Sequence, residues 1–257
     1  MNQKLSGAQL VLVPITKMGE NKFPWIENIR SRFIKFIDFY GATYLPGTAE
    51  QGLTTTDSLY ITITNGSGNT QLHRNLPLER LDYRKTLGVR QPIYSNICLS
   101  DCSVNCQNAA AVGKVAAFVF WYDLPEYSAK NSTTQLVTDS VSVELTTSIR
   151  YNKLPDAERM TGKRFRRILT CAPAITPDFY EGLYEDQLEN IYLTLRKGSY
   201  NVVENLPVMM LYQLAMIQRS EFQNIIFDFQ SSFLTIGGAG TIPNVDSDYI
   251  GKSVFFN

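Results

Sequence analysis

Leu59-Tyr60-Ile61-Thr62-Ile63-Thr64-Asn65-Gly66-Ser67 and Ile191-Tyr192-Leu193-Thr194-Leu195-Arg196-Lys197-Gly198-Ser199 read as one segment written twice, 132 residues apart. In each, apolar residues alternate with polar or amphipathic ones. Leu59, Ile61 and Ile63 point one way, and Tyr60, Thr62 and Thr64 the other. This period of two predicts a half-buried β-strand. The Asn65-Gly66 and Lys197-Gly198 pairs that follow predict turns, because glycine adopts positive φ without steric cost.

The match extends outward in order. At the same offset Arg32-Phe33 falls on Arg164-Phe165, and Lys35-Phe36-Ile37 on Arg167-Ile168-Leu169. Asn75-Leu76-Pro77-Leu78 falls on Asn205-Leu206-Pro207-Val208 at offset 130, and Asn96-Ile97 on Asn224-Ile225 at offset 128. Length changes between matched segments belong in loops, since a one-residue slip in a strand reverses every side chain. The sequence therefore predicts a tandem duplication. After each second strand, Asn-Leu-Pro predicts a helix start, over about 77–83 and 207–217. Further strands are predicted at 93–99 and 115–122 in the first copy, and at 224–229 and 253–256 in the second.

Composition agrees with a β protein. Phe and Tyr number 14 each, and both suit pleated, half-buried surfaces. The expected fold is all-β: two tandem eight-stranded rolls of the jelly-roll type, each with a short inserted helix. Strand number alone leaves an immunoglobulin-like sandwich open. The expected domains are 1–128, with an N-terminal arm, and 129–257, with the boundary in the polar stretch 126–134.

Charge and chemistry narrow the function. Twenty-four basic residues balance 24 acidic ones, so the chain as a whole is not built to coat nucleic acid or an anionic membrane. The apolar run 115–122 is far short of the roughly 18–20 residues that span a bilayer, and the N-terminus lacks the layout of a secretion signal. Cys98, Cys102, Cys106 and Cys171 contain no C-x-x-C pair, and one histidine, His73, offers little for a metal site or a catalytic triad. The cysteines read as small buried thiols, and His73 as a solvated residue near a turn. Glu185-Asp186 reads as loop acids. Gly237-Gly238-Ala239-Gly240 lacks the Lys-Ser/Thr of a phosphate loop and reads as a flexible loop. No catalytic, cofactor or metal residue is expected, and no enzyme activity.

Two features remain open. Arg30, Arg32 and Lys35 recur as Lys163, Arg164, Arg166 and Arg167. They read either as edge charges that block unwanted pairing and form salt bridges, or as contacts with lipid headgroups or genome. The second helix, Pro207 to Ile217, is apolar nearly all round, which predicts burial on several sides, inside its own roll or between rolls or subunits.

The duplicated unit, together with Tyr184-Glu185-Asp186-Gln187-Leu188-Glu189-Asn190-Ile191-Tyr192-Leu193-Thr194-Leu195 and the turn glycine Gly198, resembles the double jelly-roll major capsid proteins of tailless icosahedral viruses with an internal membrane. These belong to the adenovirus–tectivirus lineage, and the small corticovirus and finnlakevirus versions look closest. Thr56-Asp57-Ser58-Leu59 to Gly66 is a weaker version of the same pattern. The resemblance implies a homotrimer of pseudo-hexameric outline that tiles an icosahedral capsid with neighbouring capsomers and a separate penton protein. It also implies residence in the virion after assembly in the host cytoplasm, contact with the internal viral membrane, and no sequence-specific nucleic-acid binding. Short loops argue against tall outer towers. The alternative is a tandem β-sandwich carbohydrate-binding or host-attachment protein. That would need an exposed aromatic platform or a calcium loop, and Trp25 and Trp121 are the two tryptophans available, Trp121 in an apolar strand.

Overall fold

The computed structural model describes residues 6–30, 32–68, 70–85, 91–123, 140–146, 151–155, 165, 168–172, 181–216, 227–239, 241 and 248–256. The fold is all-β, and it divides into two compact units, Ala8–Asp123 and Leu124–Asn257 together with Met1–Gly7. The boundary stretch 126–134 lies outside the described residues.

The first unit is built from β1 (Ser6–Pro14), β2 (Gly19–Lys22), β3 (Phe33–Tyr40), β4 (Leu59–Thr64), β5 (Gln71–Pro77), β6 (Pro92–Ser95), β7 (Ser103–Cys106) and β8 (Val115–Asp123), with a single helical turn α1 (Glu27–Arg30). They form two groups of neighbours, in the orders β1-β8-β3-β6 and β2-β7-β4-β5. The first strand thus lies beside the eighth, the second beside the seventh, the third beside the sixth and the fourth beside the fifth. Leu59, Ile61 and Ile63 are buried, and Tyr60 and Thr62 half-buried, as the alternation requires. Phe118 on β8 packs on Phe23 at 5.2 Å and on Phe39 at 5.8 Å between ring centroids. Such tilted and edge-on contacts between rings add to what their buried area contributes. Trp121 is fully buried, and its indole N–H donates to the buried Asp38 carboxylate at 2.7 Å.

The second unit contains β9 (Val141–Glu144), β10 (Asn152–Lys153), β11 (Thr170–Cys171), β12 (Ile191–Lys197), β13 (Tyr200–Pro207), β14 (Phe233–Ile236), β15 (Ser253–Phe256) and the helix α2 (Val208–Met216). Its orders are β9-β15-β11 and β10-β14-β12-β13. Strand for strand these repeat β1-β8-β3 and β2-β7-β4-β5. The counterpart of β6 would fall on 222–225, outside the described residues.

The repetition reaches individual hydrogen bonds. In β4–β5, Tyr60 lies opposite Pro77 and Ile61 opposite Leu76, with register shifts after Ile61 and Ile63; in β12–β13, Tyr192 lies opposite Pro207 and Leu193 opposite Leu206, with shifts after Leu193 and Leu195. At each bulge an asparagine adopts left-handed φ, +46° at Asn75 and +49° at Asn205. Asparagine tolerates this conformation better than most residues. The Asn75 N–H donates to Thr62 Oγ1 at 3.3 Å, and the Asn205 N–H to Thr194 Oγ1 at 3.1 Å.

A second repeated constellation ties β2 and β10 to the turns before them. Asn21 Oδ1 accepts from the Thr16 N–H at 2.9 Å, and Asn152 Oδ1 from the Thr146 N–H at 2.8 Å. Asn21 Nδ2 reaches Val104 O, and Asn152 Nδ2 reaches Leu234 O, each at 3.5 Å. A third involves Gly113-Lys114 and Gly251-Lys252. The Gly113 N–H donates to Ile15 O and the Gly251 N–H to Leu145 O, each at 2.8 Å.

Several expectations are corrected. Residues 78–81 form a single 3-10 turn rather than a helix over 77–83, because Pro77 and Asp82 are extended on either side (ψ 131° and 111°). Strand β6 stops at Ser95, and Leu99–Asp101 is a 3-10 turn. Its counterpart is the 3-10 turn Phe229–Ser231, so the end of the predicted strand 224–229 is not extended. These turns, and the pairs Cys98/Asp228 and Val104/Leu234, keep the offset at 130; Asn224, the expected match of Asn96, lies outside the described residues. In the first hairpin the glycine with positive φ is Gly68, not Gly66. Gly66 instead permits close approach: a Cβ there would lie 3.0 Å from Asn96 Cβ. Gly198 has φ +59° and the next residue, Ser199, does not share it, as in a two-residue type II′ hairpin.

Candidate functional site

A depression in the first unit is lined by Gly19, Glu20 and Lys22 of β2, Ser103 and Asn105 of β7, Thr62 of β4, and Gln71, Arg74 and Asn75 of β5, with Asp101. Alternation places these polar side chains on one face, while Leu59, Ile61, Ile63 and Val104 are buried. Lys22 Nζ pairs with Glu20 Oε1 at 2.8 Å, both side chains about half exposed. The hydrogen bond from Lys22, and then its charge, hold the Glu20 carboxyl below the usual carboxylate range. An exposed pair of this kind contributes little to stability. The lining mixes cations, carboxylates and amides and holds no histidine, cysteine or aromatic residue. It can meet a polar surface through many weak hydrogen bonds, but it supplies no nucleophile–base pair. The face was not read from the sequence, since Glu20-Asn21-Lys22 is polar throughout and shows no alternation. Nor was it legible that β2, β7, β4 and β5 lie side by side.

The residues singled out from the sequence are not brought together. His73 lies within β5 opposite Ile63, half-buried, rather than solvated at a turn. Its Nε2 is buried without a hydrogen-bond partner, and burial pushes its pKa down, so the neutral ring is favoured. The turn that was expected near it lies earlier, where the Asn65 N–H bonds Thr70 O. Glu185 and Asp186 precede the 3-10 turn Gln187–Asn190, and the Asp186 carboxylate accepts from the Gln187 N–H at 3.0 Å. Gln187 in turn connects three elements. Its Oε1 accepts from the Tyr184 N–H and from Lys252 Nζ, and its Nε2 donates to Asp248 O. The segment 184–190 is thus anchored by bonds of the Gln187 side-chain amide.

Among the basic clusters, the Arg32 guanidinium lies 5.5 Å from the centre of the Tyr122 ring, and Lys35 pairs with Asp123 at 3.4 Å. These contacts fit the edge-charge reading of the first cluster. Lys163, Arg164, Arg166 and Arg167 lie outside the described residues. In α2, Val208 to Leu211 are all buried, and the helix meets β11, β12, β13 and the 187–190 turn of its own unit. Trp25 is 58% exposed, and its indole N–H donates to Glu27 Oε2 at 3.3 Å. Gly237 and Gly238 begin a turn directly after β14, and Gly240 lies outside the described residues.

Cys98 is half-buried and Cys102 and Cys106 are buried, all as free thiols. Cys102 occupies the place that a serine takes in the second unit. Its Sγ accepts from the Thr64 N–H at 3.4 Å and donates to Cys98 O at 3.1 Å. Ser232 Oγ accepts from the Arg196 N–H at 3.1 Å and donates to Asp228 O at 2.7 Å. Burial pushes the Cys102 thiol up to about 11, so at neutral pH it is uncharged and unreactive. Cys102→Ser is expected to change stability by less than about 1 kcal/mol, measured by denaturant unfolding. Cys102→Val, which loses both bonds, should cost about 1–3 kcal/mol. In native protein at pH 8, a thiol reagent should modify Cys98 and spare Cys102.

Among the described residues no group of three His, Cys, Asp or Glu side chains could hold a metal ion, and no helix is long and apolar enough to cross a membrane. Searches of protein-family models, of curated proteins and of solved structures return no match to this chain.

Proposed function

We propose that this chain is a double jelly-roll coat subunit, a major capsid protein that assembles as a pseudo-hexameric trimer. The observation that carries the reading is the strand order, complete in the first unit and repeated among the described residues of the second for three of its four pairings. Pairing first with eighth, second with seventh, third with sixth and fourth with fifth is the order obtained when one long antiparallel hairpin is rolled into two facing sheets, the jelly roll. Two such rolls per chain give a six-lobed outline to a true threefold ring, and a ring that closes by head-to-tail contacts needs two different patches on each chain. The rolls are alike in strand order and unlike after the fifth strand: a short 3-10 turn at Leu78–Leu81 in one, the apolar helix α2 in the other. In this reading the polar face on β2-β7-β4-β5 meets protein rather than substrate, the subunit has no catalytic role, and its place is the shell of a virion around an internal membrane.

The test is size and shape in solution. Light scattering should give about 87 kDa, three chains of 29.1 kDa, and electron microscopy a six-lobed particle. A chain that stays monomeric at high concentration overturns the proposal. The exposed Trp25 favours the alternative, a glycan-binding or attachment module, but no aromatic side chain lines the polar depression. Glycan binding by a stable monomer would establish that alternative.

A further inference from the structure

His73 stands where the repeat carries an aliphatic residue. It lies on β5 opposite Ile63 of β4, and the matching pair in the second unit is Val203 opposite Leu195. Residues directly opposite each other on two antiparallel strands share a face, and Ile63, Leu195 and Val203 are all buried. The imidazole is therefore on the core side of β5, away from the polar depression. The fold does not require a histidine there, since valine serves the same pairing in the other unit.

The ring is poorly placed to carry charge. Its Nε2 is buried and has no hydrogen-bond partner. A neutral imidazole has one N–H and a charged one has two, so the charged ring always has a donor at Nε2 with no acceptor. Burial holds the ring below its ordinary value of 6.5, and the backbone carbonyl of Pro92, at the start of β6, opposes this less strongly. Neighbouring charges do not alter the balance. Strands β4 and β6 carry no charged residue, and their titratable groups are Tyr60 and Tyr94. Arg74, next to His73, lines the depression on the other face. Glu79 and Arg80 on the 3-10 turn after β5 are exposed, and Glu79 is paired with Lys85. The strand itself is lightly held. Among the described residues β4 is its one neighbour, and two register shifts interrupt that pairing. A strand with few such bonds opens at lower cost than the core around it.

We propose that His73 makes β5 an acid-released strand: while the ring is neutral β5 stays closed on the core beside β4, and a proton on the ring opens it, whereas β13, with Val203 in the same place, stays closed. The sign follows from linkage. Once β5 is open the ring takes its proton near the ordinary 6.5, and while β5 is closed only at lower pH. The open form thus binds more protons below pH 6.5, so the closed strand keeps its full stability above that pH and loses it as the pH falls further. Most carboxylates titrate lower, at about pH 4, which leaves the window to the histidine. The inference does not depend on the coat-subunit reading.

Two measurements on the full chain test it. The sequence has one histidine, so its imidazole signal in proton NMR is unique, and its titration midpoint should lie below 6.5. In hydrogen–deuterium exchange corrected for intrinsic rates, the amides of Gln71–Pro77 should open at least about threefold more at about pH 5.5 than at about pH 7.5, while those of Tyr200–Pro207 do not follow. His73→Val should abolish the change. A midpoint at or above 6.5 overturns the proposal, and so does a β5 that opens with acid as much in His73→Val as in the natural chain. Should His73→Val fail to fold, the midpoint and the contrast between β5 and β13 in the natural chain decide the matter.

Discussion

Gly52→Ala is expected to leave little folded protein, with a loss of about 4 kcal/mol or more. A Cβ at Gly52 would collide with the Ala42 carbonyl oxygen, and would also come within 3.0 Å of Ala42 C and 3.2 Å of Leu45 Cγ. The nearest obstacle is backbone, so no side-chain rotation relieves it. The backbone in turn cannot move, because it is bonded on both sides of the glycine. The Val115 N–H donates to Gln51 O at 3.0 Å, the Leu53 N–H donates to Val115 O at 2.7 Å, and the Gly52 N–H donates to Thr43 O at 2.9 Å. Gly52 thus locks the segment before β4 onto the start of β8. Circular dichroism melting and soluble yield measure the effect. Gly47→Ala is the matched control for the space argument, since nothing lies within 4 Å of a Cβ there; its φ of +73° should cost about 1 kcal/mol. The same arrangement recurs in the second unit, where Gly182 bridges Ser253 and the Ser253 N–H donates to Glu181 O at 2.8 Å.

Asn21→Leu and Asn152→Leu should each destabilise by about 2–4 kcal/mol, read as a lower denaturant midpoint. Asn21 is 4% exposed and serves the whole turn after β1. Its Oδ1 accepts from the N–H groups of Thr16 and Lys17 at 2.9 and 3.3 Å, and its Nδ2 donates to Lys17 O and Gly19 O, each at 3.0 Å. Leucine has the same branched outline but is larger, and it leaves these backbone groups unpaired where water has poor access, a desolvation cost that exceeds the gain from an apolar side chain. Asn152, 3% exposed, bonds the Thr146 N–H and Oγ1. Asn→Asp at either site keeps the acceptor, loses the amide donor and buries a charge, so it should not rescue. Equal losses at both positions would mark the two residues as equivalent parts of a duplicated design. A neutral Asn21→Leu would mean that solvent, not the side chain, satisfies the turn.

The duplication was legible because strand periodicity and turn residues are local. Leu59 to Ser67 and Ile191 to Ser199 carry both signals within nine residues, and tertiary packing had no reason to override them. The bonds that make the two units equivalent were not legible. Asn21 and Asn152 stand in unremarkable polar contexts, and only the fold brings Val104 or Leu234 to their amides. Cys102 and Ser232 do not align as letters, yet a thiol and a hydroxyl with the same two partners are interchangeable in that position. Gln51-Gly52-Leu53 and Glu181-Gly182-Leu183 do align, at offset 130, and that match could have been found. The helical turn at Leu78–Leu81 was overread because Asn-Leu-Pro marks where a helix can begin, not how far it runs.

The candidate site divides in the same way. The alternation of Leu59, Ile61 and Ile63 with Tyr60 and Thr62 showed that β4 has one face less buried than the other, whereas β2 and β7 were not read as strands. That β2, β7, β4 and β5 lie side by side, so that their outer sides merge into one polar face, is a long-range pairing that no local pattern encodes. His73 reads from its neighbours as a solvated residue; its place opposite Ile63 within β5 makes it half-buried and uncharged instead.

By itself, the sequence determined that the chain is β-rich, that it is written twice, and which residues of each strand are apolar, because these depend on spacings of two residues and on turn chemistry. Only the tertiary structure decided the order in which the strands lie and the backbone contact that requires Gly52. Those depend on separate segments of the chain meeting in space, which is governed by packing of the whole core rather than by any segment within it.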